Sequence, residues 1–317
     1  MIDRFGRSIT YLRLSVTDRC SLRCRYCMPE ASAPQKQRED LLTEDERICA
    51  VGAAAALGVT KLRITGGEPL LCRNILSLCS RAAQTPGIAE VCLTTNGILL
   101  PRLAPALRAA GVRRVNISLD SLQSETYAHI TRGGRLEDAL AGLRAALAAG
   151  FDRVKINAVL MGGVNDGEIP ALAELSRQYP VDVRFIELMP MGRGGALPPS
   201  AYLPCDTVLR RLPQLTPLEE EGGVARLYRL PGAVGRVGLI SPISAHFCGA
   251  CSRLRLTADG RLRPCLHSPV EFSLKRLDGA GMMRQFEAAA AAKPARHGEL
   301  SETERSPAGL DMNELGG

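Results

Sequence analysis

The chain has 317 residues, 45% of them hydrophobic, with few aromatics and no tryptophan; this is a globular composition, long enough for one large domain with an appendage or for two domains. No apolar run reaches the length of a membrane span and Met1 through Gly6 open no signal peptide, so a cytoplasmic setting with no membrane partner is expected. The net charge of +7 comes from 40 basic residues, nearly all arginine and dispersed along the chain, a pattern that points to a small phosphorylated ligand and, lacking a basic block interleaved with aromatics, to no nucleic acid.

Short β-rich segments alternate with alanine-rich amphipathic stretches over the first two-thirds. Strands are predicted at residues 11–16, 61–65, 91–95, 113–118, 153–159 and 182–187. Between them, Thr43-Glu44-Asp45-Glu46 reads as a capping box that starts a helix. Further helices are predicted at about 74–84, 102–110, 124–130, 135–149 and 168–177, with Gly58, Gly111 and Gly150 at C-caps. Six βα units imply a parallel sheet: doubly wound, an eight-unit barrel lacking two units, or a six-unit partial barrel. Polar residues gather at the strands' C-terminal ends, among them Thr65, Glu68, Thr94, Asn96, Ser118, Asp120, Asn157 and Glu187. Both α/β barrels and open α/β sheets place their sites there.

The pattern breaks in a loop at 191–199. A Pro- and Gly-rich region follows, with a hairpin whose Asp259-Gly260 turn separates Cys251 from Cys265. Residues 293–317 are polar and read as poorly packed.

Six of the 11 cysteines form two sets of three: Cys20, Cys24 and Cys27, spaced C-x3-C-x2-C, and Cys248, Cys251 and Cys265, spaced C-x2-C-x13-C. A structural zinc site takes four protein ligands, as does an electron-transfer iron–sulfur cluster. Three cysteines on a cubane leave one iron open, so two sets suggest two clusters with open positions. Ser21, Arg23 and Arg25 are expected to favour thiolates in the first set. Arg13, Arg63 and Lys155 stand on predicted strands, where a cation must reach solvent or face a polar cavity. Arg253 and Arg255 share one parity of an extended segment. Cys49, Cys72, Cys79, Cys92 and Cys205 read as small hydrophobes, and His129, His246 and His267 as structural.

C-x3-C-x2-C with Tyr26 before the last cysteine resembles the signature of radical S-adenosylmethionine enzymes, and Gly66-Gly67-Glu68-Pro69 resembles their glycine-rich motif. The stretch from Cys248 through Arg255, with Cys265, is similar to one branch, the GTP 3′,8-cyclases of molybdenum-cofactor biosynthesis. The likeness runs over nearly the whole chain, including Leu12 through Cys20, Thr94-Thr95-Asn96-Gly97, Phe185 through Met189 and the terminal Gly316-Gly317.

This resemblance implies a six-unit partial barrel over 1–215, closed by a C-terminal segment, 216–317, that carries a second cluster and a tail. It implies two [4Fe–4S] clusters on the two cysteine sets. The first would cleave S-adenosylmethionine to a 5′-deoxyadenosyl radical that takes the 3′ hydrogen of GTP; the second would present an open iron to guanine. Tyr26, Gly67, Ser118 and Met189 match positions that contact S-adenosylmethionine. Arg13, Arg63, Thr94, Lys155, Arg253, Leu254 and Arg255 match positions that contact GTP, with Arg13 also a catalytic candidate. Gly316 and Gly317 match a tail that enters the active site. An external electron donor, a downstream cyclic pyranopterin monophosphate synthase and a homodimer are the partners implied. Ser252 stands where the family usually has asparagine. A peptide-modifying radical enzyme and a zinc-containing nucleic-acid binder are the rival readings; the first carries a longer, more cysteine-rich C-terminal region.

Overall fold

The computed structural model describes residues 1–30, 36–219, 223–298, 300–301 and 304–316. In the first two-thirds, strands and helices alternate in the expected order. They are β1 (Tyr11–Ser15), α1 (Glu44–Ala56), β2 (Lys61–Thr65), α2 (Ile75–Gln84), β3 (Glu90–Thr95), α3 (Leu100–Ala109) and β4 (Val112–Ser118). Then come α4 (Ser124–Thr131), α5 (Leu136–Ala148), β5 (Arg153–Leu160), α6 (Ile169–Gln178) and β6 (Val181–Glu187). The capping box forms as read, with Glu46 N–H donating to Thr43 Oγ1 at 3.2 Å and Thr43 N–H donating back to Glu46 Oε2 at 2.8 Å. Gly58, Gly111 and Gly150 take positive φ just beyond α1, α3 and α5.

The last third adds α7 (Asp206–Arg211), β7 (Thr216–Pro217), β8 (Arg226–Arg229), β9 (Arg236–Ile240), β10 (Arg253–Leu256), β11 (Arg261–Arg263), β12 (Phe272–Ser273), α8 (Gly279–Ala291) and α9 (Met312–Leu315). All strands join one sheet, in the order β12-β11-β10-β1-β2-β3-β4-β5-β6-β9-β8-β7. The run from β10 to β9 is parallel throughout. Two strands of the C-terminal segment therefore extend the six-strand core, one at each edge. They do not pair with each other, so strand pairing does not close the barrel.

Alternation along the strands creates the two faces. On β1, Leu12 and Leu14 are fully buried in the apolar core, whereas Tyr11 and Arg13 line a cavity. On β5, Val154 and Ile156 join the core while Lys155 and Asn157 face that same cavity. All eight parallel strands contribute to its wall, and its volume is about 1020 Å³. A packed barrel interior is apolar; this one is polar and open, which makes it the place to look for chemistry. No described helix is long and apolar enough to cross a membrane.

The expectation of a poorly packed C-terminus does not hold. Lys293, Leu300, Ala308 and Leu315 are buried, and Met191, Ala308 and Leu315 form a small apolar cluster. The Arg7 guanidinium donates to the carbonyls of Cys248, Pro294 and Ala295 at 2.8, 2.6 and 3.0 Å. Low hydropathy hid this packing because carbonyl acceptors and a few apolar residues hold the segment.

Candidate active site

The first cysteine set sits on the loop after β1, at the C-terminal mouth of the sheet. The end of α4 anchors this loop: Arg23 N–H and Arg25 N–H donate to the carbonyls of Thr131 and Ile130. Arg132, in the left-handed region at φ 54°, donates from its guanidinium to the carbonyls of Arg23 and Met28. Cys20, Cys24 and Cys27 all line the large cavity.

The expected thiolate-favouring role of the neighbouring arginines is corrected. Arg25 turns to the His129 carbonyl, and Arg23 to those of Cys20 and Leu22. Burial instead raises all three thiols, by a large margin at Cys24 and Cys27, and the Arg23 charge only partly opposes it at Cys20. Metal loading of this set must therefore release protons.

Gly66 and Gly67 follow β2 and press on the cysteine loop. Gly67 N–H donates to the Thr17 carbonyl at 2.7 Å, and a Cβ on Gly67 would lie 2.7 Å from the Asp18 oxygen. The glycines thus serve first to bring two loops together. Glu68 accepts from Asn96 N–H at 2.7 Å, Thr95 Oγ1–H at 2.8 Å and Leu70 N–H at 3.0 Å. Burial still pushes its carboxyl up to about 7. Tyr26 O–H donates to Asp120 Oδ2 at 2.8 Å, and burial lifts Asp120 to about 6. Gly67, Ser118, Tyr26 and Met189 share the cavity wall with the three cysteines.

Across the mouth the cations converge. Arg13 is paired in register with Arg63 on one side and Arg255 on the other. Arg253, Lys155 and Thr94 line the same cavity. Leu254 is the exception: it has the opposite parity and its side chain is fully buried in the core, so only its main chain can face a ligand. Arg63 is held by the Tyr11 hydroxyl, which it approaches to 2.5 Å, and by Leu93 O and Thr94 Oγ1. Burial raises the Tyr11 hydroxyl, but the charges of Arg63, Arg13 and Arg253 outweigh it and bring the group to about 8.

Arg184 on β6 also lines the cavity and was not anticipated. Its Nε is buried without a hydrogen-bond partner. Burial, and then repulsion from Arg63, lowers it to about 10. The signal for it was parity: Arg184 alternates with buried Val183 and Phe185. Massed buried cations of this kind lower one another's stability as charges and prepare a cavity for a polyanion.

Lys155 shows the balance most clearly. Asp182 accepts from Arg236 at 2.9 and 3.0 Å and pairs with Lys155 at 3.4 Å. Burial, then the Arg184 charge, nevertheless lowers Lys155 to about 7, against the pull of Asp182. Lys155 is therefore cationic below that pH and loses its charge as pH rises through it. Affinity for a nucleoside triphosphate should fall as pH rises from about 6 to about 8, and Lys155→Arg should flatten that fall. Equilibrium binding of a nucleoside triphosphate to both proteins across that range checks it; equal slopes would contradict it.

The second cysteine set lies where β10 and β11 begin and end. Cys248, Cys251 and Cys265 line a smaller cavity of about 70 Å³. Its wall shares Met189, Arg253 and Arg255 with the large cavity, so the two adjoin. Here burial, which raises Cys248 and Cys251, is outweighed, at Cys248 by His297 and at Cys251 by Lys293 and Arg253, and both thiols fall below their usual value. Neither His297 nor Lys293 was singled out in the sequence. His246 meets Pro242 O at 3.0 Å and His297 Nε2 at 3.1 Å. The Ser252 carbonyl accepts from Thr10 and Tyr11 N–H, which fixes the strand before the arginines.

Two observations test the fit of cubane clusters to these sites. Each set of three thiols lines one cavity. Among the described residues no three His, Cys, Asp or Glu side chains converge on a single-ion position. The corners of a cubane are separate irons, so its thiols need not meet at a point as zinc ligands must. The donor sets fit iron–sulfur clusters.

The tail also reaches the mouth. The Gly316 carbonyl accepts from Arg13 at 2.9 Å and Arg255 at 3.3 Å, and Asn313 donates to the Asp18 carbonyl at 3.2 Å. Gly317 lies outside the described residues.

The chain matches the family model of the Radical SAM superfamily over residues 14–176, and that of Molybdenum Cofactor Synthesis C over 181–299. A GTP 3′,8-cyclase of Heliobacterium modesticaldum is 48% identical across 95% of this chain and 96% of its own length. The GTP 3′,8-cyclase of Moorella thermoacetica is 45% identical across the whole of both chains. Among solved structures, Streptococcus suis SuiB bound to S-adenosylmethionine aligns with a TM-score of 0.59 at 16% identity. That alignment covers 84% of this chain and 63% of the SuiB chain, a likeness of fold. The chain thus belongs to the radical S-adenosylmethionine superfamily and, within it, to the GTP 3′,8-cyclase family.

Proposed function

We propose that this chain converts GTP to (8S)-3′,8-cyclo-7,8-dihydroguanosine 5′-triphosphate, the first step of molybdenum-cofactor biosynthesis. The observation that carries this reading is the pair of three-cysteine sets in adjoining cavities, with buried and half-buried cations lining the larger one. Cys20, Cys24 and Cys27 would hold one [4Fe–4S] cluster, and Cys248, Cys251 and Cys265 the other. When bound, these groups and S-adenosylmethionine supply a hydrogen-abstracting radical and an open iron for the guanine.

The chain's own residues orient and neutralise. Arg13, Arg63, Lys155, Arg184, Arg253 and Arg255 present guanidinium forks and an ammonium to the triphosphate. Tyr26, Gly67, Ser118 and Met189 line the same cavity as the first cysteine set, where S-adenosylmethionine would lie, and Met189 also borders the second set. The Gly316 carbonyl bridges Arg13 and Arg255, which makes Arg13 a group that touches both the tail and the nucleotide.

We further assign residues 1–215 to generation of the radical and 216–317 to holding the nucleotide and the tail. The reaction needs an external one-electron donor. Its product would pass to a cyclic pyranopterin monophosphate synthase, and a cytoplasmic homodimer is the form we propose for the enzyme.

Anaerobically reconstituted protein, given GTP, S-adenosylmethionine and a reductant, should yield the cyclised nucleotide with about eight irons per chain. Turnover of a peptide in place of GTP would overturn the reading, as would two zinc ions with salt-sensitive nucleic-acid binding.

A further inference from the structure

Lys293 lies just beyond α8, and the cyclase reading gives it no task. It is 2% exposed. Its ammonium donates to the carbonyl of Arg253 at 2.8 Å and to that of Pro264 at 2.7 Å. Lys293 lines the same small cavity as Cys248, Cys251 and Cys265. The two carbonyls belong to residues next to the second cysteine set, one at the start of β10 and the other immediately before Cys265.

Among the described residues no carboxylate forms an ion pair with Lys293. A buried ammonium without an anion is costly. The groups sharing its cavity that become anions on binding a metal are the thiols of the second set. Its position also follows from the fold: it succeeds the C-cap residue Ala292, where the helix dipole favours a cation. Among the described residues, the side-chain and main-chain donors that face Cys20 are Leu22 N–H and the Asn96 amide, both neutral.

We infer that Lys293 is the resident counter-ion of the cluster held by Cys248, Cys251 and Cys265, raising that cluster's reduction potential. The inference rests on the presence of that cluster. Reduction adds a negative charge, which a nearby buried ammonium stabilises. The ammonium also offsets the cluster's charge beside a cavity built for a triphosphate.

The test uses the full chain carrying Cys20→Ala, Cys24→Ala and Cys27→Ala, so that only the second cluster is read. Lys293→Met and Lys293→Arg are added singly, and iron content and the midpoint potential are followed by electron paramagnetic resonance. About four irons in the protein with Lys293 intact establish the cluster whatever the variants do; their absence would count against the cyclase reading itself. Lys293→Met should disfavour reduction at least tenfold, a negative shift of about 59 mV or more, with Lys293→Arg near the starting value. Loss of iron in Lys293→Met alone, with Lys293→Arg loaded, would equally support a required positive charge. An unchanged potential in Lys293→Met, equal shifts in both variants or loss of iron from both would overturn the inference.

Discussion

Cys27→Ala should reduce S-adenosylmethionine cleavage to the uncatalysed background and lower the iron content from about eight to about four per chain. Two remaining cysteines cannot secure the first cluster, while the second set lies in its own cavity and keeps its irons. The fold should survive, because the loop is held through main-chain bonds to Ile130 and Thr131 and by the Arg132 guanidinium, none of which uses the thiol. GTP binding should survive too, since the buried cations belong to the strands. Iron analysis, 5′-deoxyadenosine release and equilibrium GTP binding on one preparation check all three. Retained cleavage in Cys27→Ala would remove the assignment of that set.

Gly316→Ala should cut turnover by about tenfold to a hundredfold while costing the fold little. Gly316 sits at φ 72°, where a side chain costs about 1–2 kcal/mol. An added Cβ would also collide with Thr65 Oγ1, which lines the cavity, and lie 3.2 Å from Ser15 Cβ. The tail must then withdraw, and its carbonyl loses the Arg13 and Arg255 bonds. A hydrogen bond to a charged group contributes about 1.5–3 kcal/mol, which sets the expected range. Steady-state kinetics of Gly316→Ala, with thermal unfolding as the control, decide it. Unchanged kcat and KM would mean that the tail's approach to the arginines has no part in catalysis.

Most of what positions the site was legible in local patterns. The six strands of the core begin and end within about a residue of expectation, because period-two alternation and helix caps are local signals. Strand position left Arg13, Arg63 and Lys155 open between solvent and a polar cavity, and parity paired Arg253 with Arg255; the family resemblance grouped all five at one site, and all five line one cavity. What escaped depends on long-range pairing. Nothing near Arg236 or Arg253 indicates that β9 and β10 join opposite edges of one parallel sheet. Leu254 was grouped with its arginine neighbours although alternation turns its side chain into the core. Arg23 and Arg25 looked like partners for the thiols, yet uncapped carbonyls at the end of α4 and on the loop claim them. The resemblance implied the tail's approach at Gly316, but the packing of 293–317, with Lys293 in it, was misread because a polar composition says nothing about which carbonyls lie within reach.

The central claim is that the two cysteine sets act on one nucleotide held between them. GTP deuterated at C3′ tests it most directly, with the 5′-deoxyadenosine and the nucleotide product examined by mass spectrometry. The account predicts one deuterium in 5′-deoxyadenosine and a nucleotide product that has lost it. Cyclised nucleotide formed with the deuterium still at C3′, or 5′-deoxyadenosine carrying none, would contradict the account.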